Sequence, residues 1–241
     1  MELNICHLYS DVMNLSCDRG NVLVMEKRLQ WRGIDVTVTA VNMGETLNAD
    51  AFDLIFVGNG QPFVQPMVLA DAKENKAAGL KTAVETGVPV LAIDGGYELL
   101  GKACELADGT KFEGLGILDV QTRYGQKRLV GDYVFACEEL GINVIGFENH
   151  AGKTTLGNGV KPFGKVLTGN GNNGTDGTEG ARYKNVFATY AHGCLLPKNP
   201  VLCDHILKTA LLRKYPNITL SSLDDTFENA AHQYMSDRLS K

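Results

Sequence analysis

Residues 88–101, VPVLAIDGGYELLG, limit what this chain can fold into more than any other stretch. From Pro89 to Ile93 the residues are apolar or small without alternation, as a strand buried on both faces of a parallel sheet requires. Gly95 and Gly96 break that strand, and Tyr97, Leu99 and Leu100 open an apolar helical pattern. A strand, a tight turn and a helix in so few residues make a nucleophile elbow, which holds its tip residue above the C-terminal edge of the sheet. Backbone N–H groups there can face a developing oxyanion. The tip residue is Asp94. From these residues alone, a helix N-cap is the more ordinary role for Asp94, because Asp caps well and this turn is common in α/β proteins.

The remainder of the chain supplies a sheet for that elbow. Residues 3–9 read as a first strand, 21–32 as a helix closed by Gly33, and 34–41 as a second strand. Residues 54–57 form a short buried strand ending in Gly58, Asn59 and Gly60. A helix runs over about 68–86 until Gly87 and Pro89 stop it. This βαββαβα order predicts an α/β fold with a doubly wound, mostly parallel sheet, helices on both faces and ligands beyond the strand C-termini. After Gly101, residues 112–120, 128–137, 142–147 and 165–168 read as short strands in an antiparallel addition to that sheet. The Gly-, Asn- and Thr-rich stretch 157–180 reads as exposed turns and loops. A buried strand at 186–190 ends at Ala191, His192 and Gly193, and helices around 201–215 and 223–239 finish the chain. Without a repeat or a long linker, 1–241 reads as a single domain, with its C-terminal helices at about 200–241.

Composition removes several functions. A formal charge of -5, with no stretch gathering Lys and Arg, argues against a nucleic-acid backbone binder. No basic leader or membrane-length apolar run is visible, which points to a cytoplasmic protein. The six cysteines contain no CxxC pair and read as reduced thiols; neither they nor the five histidines have zinc-ligand spacing, so no metal is expected. Gly152, Lys153 and Thr154 resemble the end of a phosphate loop, but Gly146 is one residue too far upstream and no helix follows.

Taken together, the motifs resemble one family. LAIDGGYELLG is similar to the LAICGGYQLLG elbow of class I glutamine amidotransferases. NICHLYSDVMNLSCDRGN, EGLGILDV, KRLVGDYV, VIGFENHAGKT and TYAHG resemble, in the same order, the GatD-type glutaminase subunits of lipid II isoglutaminyl synthase. The resemblance covers the chain to about Asn199 and implies a single flavodoxin-like domain without a cofactor. It further implies hydrolysis of glutamine, with the ammonia passing to a Mur-ligase-like, ATP-dependent partner in a heterodimer that amidates D-glutamate in lipid II during peptidoglycan synthesis. In that chemistry a cysteine thiolate attacks the amide, and a histidine moves protons as base and then acid. The match puts Asp94 at the nucleophile position and makes His192 the base. It assigns the oxyanion hole to Gly95, Gly60 and Asn59, and the substrate carboxylate to Arg128. Alone, His192 would read as a strand-end structural histidine and Arg128 as a solvated charge or surface ion pair.

The departures from the family pattern are chemical. An Asp carboxylate attacking an amide leads toward a mixed anhydride, and the carboxylate leaves more readily than the amine, so the adduct collapses backward. A helix N-terminus favours an ionised Asp94, whose charge opposes a neighbouring oxyanion. Loss of the nucleophile costs about a millionfold in subtilisin, and a defect of that class is expected here. In GNGQPFVQ, set against GGGQDREQ in the family, Asn59, Pro62 and Phe63 replace a glycine, an acid and a base. Glu98 stands where glutamine is usual, and Cys194 stands where many relatives carry an acid. Neither Cys104 nor Cys194 is placed to rescue the thiol chemistry. Three functions follow: an amidotransferase subunit with impaired glutamine cleavage, a non-catalytic pseudo-glutaminase binding subunit, or, remotely, a hydrolase that uses Asp94 as nucleophile at saturated carbon.

Overall fold

A computed structural model describes residues 1–61 and 64–239, so Pro62 and Phe63 lie outside the described residues. The first half of the chain builds β1 (Glu2–Leu8), α1 (Asp18–Gln30), β2 (Asp35–Val41), β3 (Leu54–Val57), α2 (Gln65–Asp71), α3 (Ala77–Glu85), β4 (Val90–Ile93) and α4 (Gly95–Leu100). A second group comprises β5 (Ala103–Glu105), β6 (Lys111–Glu113), β7 (Val120–Cys137), β8 (Ile142–Leu156), β9 (Gly164–Thr168) and β10 (Thr178–Glu179). The chain then returns through β11 (Ala181–Tyr183) and β12 (Val186–Thr189) to α5 (Leu195–Lys198), α6 (Pro200–Lys214) and α7 (Thr226–Leu239).

The main sheet runs β11-β12-β4-β3-β1-β2 and is parallel except at β11. Every residue of β3, β4 and β12 is buried, which is why their sequences are unbroken apolar runs and not alternating ones. The chain passes from β1 outward to β2 and then to β3 on the opposite side of β1, the reversal that opens a crevice at the strand C-termini. The doubly wound, flavodoxin-like arrangement expected from the sequence is therefore present. Three adjacent strands, β3, β4 and β12, deliver the Gly58–Gly60 turn, Asp94 and His192 to the same edge.

Strands β5–β10 form their own six-stranded sheet, antiparallel except between β5 and β7 and centred on a long β7–β8 pair whose register shifts between Tyr124 and Leu129. The expected strand over 112–120 is short: it stops at Glu113, and β7 begins only at Val120. Residues 157–180 are not simply exposed loop. They contain β9 and β10, and Asn172 is fully buried, with its side-chain amide donating to the Gly180 carbonyl and the Thr178 hydroxyl.

The single helix expected over 68–86 is divided by a π-helical turn, Ala72–Lys76. Asp71 and Lys76 are five residues apart, the spacing a π turn brings into line, and Lys76 is fully buried against the Asp71 carboxylate. Asp71 also accepts from the Tyr9 hydroxyl at 2.6 Å, so the buried charge is both paired and hydrogen-bonded. Near the C-terminus, Arg28 on α1 binds Asp204 of α6 at 2.7 Å and Asp225 at 2.6 Å, tying the last helices to the first. Among the described residues, no helix is long and apolar enough to cross a membrane.

Candidate functional site

Asp94 sits at φ 49 and ψ -107, a strained conformation for a residue with a side chain. Its N–H continues the parallel ladder by donating to the Thr189 carbonyl at 2.9 Å, and its carbonyl accepts from the Glu98 N–H at 3.0 Å. The strand and the helix thus fix it from both sides. Gly96 lets α4 approach: a Cβ there would lie 2.6 Å from the Val57 carbonyl oxygen and 2.9 Å from that of Gly58. The turn has the geometry of a nucleophile elbow, with a carboxyl at its tip.

His192 lies three residues beyond β12 and is held by a two-way backbone bridge to Phe147, at 3.0 and 3.2 Å. Its Nε2 is 3.9 Å from Asp94 Oδ2. Both ring nitrogens lack a hydrogen-bond partner among the described residues although the side chain is almost fully buried. Burial, reinforced by His150, Lys198 and Arg128, pushes the imidazole down to about 4, so it is neutral at physiological pH.

The sequence expectation of an ionised Asp94 is corrected here. Burial, then the nearby Glu98 carboxyl, push the Asp94 pKa well above the ordinary range. Helix α4 has only six residues, and its N-terminus does not outweigh that desolvation.

The donors around the elbow are already engaged. Asn59 Oδ1 accepts from the Gly95 N–H at 3.2 Å, the donor expected to face an oxyanion. The Asn59 N–H, expected to be a second donor, is turned onto Asp18 Oδ2 at 2.6 Å. Burial raises Asp18 to about 7, and the Asn59 N–H opposes the shift. The Gly60 nitrogen remains at the rim, 3.4 Å from where a Cβ of Gly95 would stand.

Asn59, Gly60, Asp94, Arg128 and His192 all line one polar cavity of about 340 Å³. Arg128 is exposed at its edge, with Nε donating to Asn149 Oδ1 at 2.7 Å and Nη2 to the Asn149 carbonyl. Cys194 is absent from this lining: its thiol donates to the Cys17 carbonyl at 3.0 Å, and burial first, then Cys17, raise it to about 11. Cys104 lines a separate apolar cavity, and burial raises it to about 12. No thiol therefore faces His192 among the described residues.

Three residues beside the site, Glu98, Gly152 and His150, have no role assigned from the sequence. Glu98, which stands where glutamine is usual, accepts from Tyr124 at 2.5 Å and Gln65 at 3.2 Å through one oxygen and from Tyr190 at 3.0 Å through the other. Gly152, discarded as part of a phosphate loop, lies in β8, where a Cβ would overlap Glu98 Oε1. His150 stacks on Tyr190 at 3.7 Å, bonds the Gly152 carbonyl through Nδ1 at 2.6 Å and has Nε2 3.7 Å from Glu148. The i, i+4 spacing of Asp94 and Glu98 is the one local signal that both carboxyls meet at the same helix end.

Chemically, this cavity presents a neutral imidazole beside a carboxyl of raised pKa, with the principal backbone donor occupied. It lacks what thiol-based acyl transfer needs: a nucleophile that outlasts the amine as the group retained.

Comparisons with known proteins place this geometry in context. The CobB/CobQ-like glutamine amidotransferase domain matches residues 4–200. The chain is 40% identical over 240 residues to the lipid II isoglutaminyl synthase (glutamine-hydrolyzing) subunit GatD of Staphylococcus aureus strain N315, covering 100% of this chain and 97% of that one. It is 37% identical over 242 residues to the GatD subunit of Streptococcus pneumoniae, covering 100% and 93%. Among solved structures, PurLQS from Thermotoga maritima matches in fold, with a TM-score of 0.61 at 16% identity over 89% of this chain and 100% of that one.

Proposed function

Because the chain belongs to the CobB/CobQ-like glutamine amidotransferase family, we propose that it is the GatD-type subunit of a lipid II isoglutaminyl synthase whose glutamine-cleaving step is disabled. Its partner is a Mur-ligase-like subunit that uses ATP to activate the D-glutamate carboxylate of the stem peptide. Asp94 occupies the attacking position, His192 the base position, Gly95 and Gly60 the oxyanion side, and Arg128 the clamp on the glutamine carboxylate.

The observation that carries this reading is the Asp94 carboxyl at the tip of a strained elbow, 3.9 Å from His192. Were the carboxylate to add to an amide carbon, the tetrahedral adduct would hold a carboxylate and an amine as competing leaving groups. The carboxylate departs first, and glutamine is returned unchanged. Burial favours the protonated Asp94 carboxyl, a weaker nucleophile than a carboxylate or thiolate, and Asn59 already occupies the Gly95 N–H. His192, lacking a hydrogen-bonded acid among the described residues, is not oriented by a third group.

Reconstitution with the ligase subunit, ATP and lipid II tests the proposal. Amidation is expected with ammonium chloride and not with glutamine. Glutamine-supported amidation by the native chain would overturn the disabled-site reading, and failure to associate with the ligase would overturn the subunit reading.

A further inference from the structure

The cavity has the wrong polarity for an oxyanion and the right one for a small cation. The Gly95 N–H is capped by the Asn59 carbonyl oxygen, and the Asn59 N–H by the Asp18 carboxylate. What remains at the elbow tip is a carboxyl and an imidazole, with Gly60 and the Arg128 guanidinium also lining the cavity. The Asp94 carboxyl receives no side-chain hydrogen bond among the described residues, and Glu98 lies behind it as a second carboxyl. The independent sign of a ligand is His192: it is 4% exposed, both its ring nitrogens are unpartnered, and it lines this same cavity.

The separation of 3.9 Å between Asp94 Oδ2 and His192 Nε2 is too long for a direct hydrogen bond. One atom carrying two N–H donors, placed about 2.8–2.9 Å from each, spans it. We propose that this cavity binds free ammonium, held between the imidazole of His192 and the Asp94 carboxyl, which releases its proton to solvent as the cation enters, where relatives attack the amide of glutamine. A metal ion is a poorer occupant, because no group of three His, Cys, Asp or Glu side chains among the described residues could hold one. Three cationic neighbours, His150, Lys198 and Arg128, oppose positive charge at His192, but Lys198 is not among the residues that line the cavity. Arg128 stands at the exposed edge with its guanidinium engaged by Asn149, and His150 is matched by Glu148 at 3.7 Å.

This inference rests on the reading that glutamine is not cleaved here, and it gives the polar cavity a use in that state: capture of the nitrogen source from solution. The test is a titration of the full-length, isotopically labelled chain with ammonium chloride, following the His192 ring resonances, against sodium chloride at matched ionic strength. A saturable shift is expected with ammonium alone. Asp94→Asn, which keeps the shape and removes the charge, should weaken it about tenfold or more, the size expected for losing a charged hydrogen-bonded contact. A shift of equal size with sodium, or an unchanged midpoint in Asp94→Asn with the remaining spectrum native-like, overturns the proposal. Glutamate release from glutamine by the native chain is measured separately: turnover there defeats the disabled-site reading, whereas no turnover with no saturable shift defeats the ammonium site alone.

Discussion

Restoring fast glutamine hydrolysis should take two substitutions, and the structure gives the size of the second step. Asp94→Cys supplies a thiol at the elbow tip, beside the neutral His192 imidazole, in place of a carboxyl that cannot retain the acyl group. It leaves Asn59 Oδ1 on the Gly95 N–H at 3.2 Å. Loss of one oxyanion-hole donor costs about 10²–10³ in turnover, or about 2.7–4 kcal/mol. Asp94→Cys alone should therefore release glutamate slowly, and Asp94→Cys/Asn59→Gly should be faster by about that factor. Asn59→Gly alone should remain inactive, because a free donor without a nucleophile completes nothing. The assay is glutamate and ammonia release from glutamine with the ligase subunit present. Equal rates for Asp94→Cys and the double variant would refute the role given to Asn59.

Other outcomes follow from the same geometry. In the Asp94→Cys/Asn59→Gly background, Arg128→Ala should raise the KM for glutamine about tenfold or more with a smaller effect on kcat, as steady-state kinetics will show. His192 is lowered to about 4 from an ordinary 6.5, so the fold favours its neutral form. The associated stability is present above about pH 6.5 and is lost as pH falls toward 4, by up to about 3 kcal/mol, and denaturant titrations of His192→Gln should lack that fall. Asp94 has the opposite sense: its raised pKa means that stability declines as pH rises from the ordinary carboxyl value through the raised one. Asp94→Asn should therefore be more stable than the native chain at pH 8, by about 1 kcal/mol or more, and not at pH 4. Gly96→Ala puts a Cβ 2.6 Å from the Val57 carbonyl oxygen and should cost about 1–3 kcal/mol in the same titrations.

The elements that carry the site were legible because each obeys one strong rule. β3 and β4 are continuous apolar runs ended by glycine, and paired glycines after β4 mark a tight turn, so the elbow and its tip could be placed from residues alone. His192 and Arg128 needed the family resemblance, since a lone histidine or arginine carries no signature, yet both line the cavity with Asp94. Interactions between distant segments were not legible. The π turn at Ala72–Lys76 follows from a buried ion pair, and an ordinary helical pattern shows neither the burial nor the pairing. β7 and β8 extend through polar, Gly-containing sequence because they pair with each other, which periodicity does not show. The charge state of Asp94 was misjudged because a helix N-terminus is visible in sequence, whereas burial beside Glu98 is a property of the assembled cavity. Asn59 was expected to give a donor, but its side chain consumes one.

The most direct measurement is the rate of glutamate formation from isotopically labelled glutamine by the native chain and by Asp94→Cys/Asn59→Gly, each bound to the ligase subunit. No turnover by the native chain and clear turnover by the variant are predicted. Turnover by the native chain, or continued silence of a folded, ligase-bound variant, would contradict the account of this cavity as a glutaminase site held inactive by its own side chains.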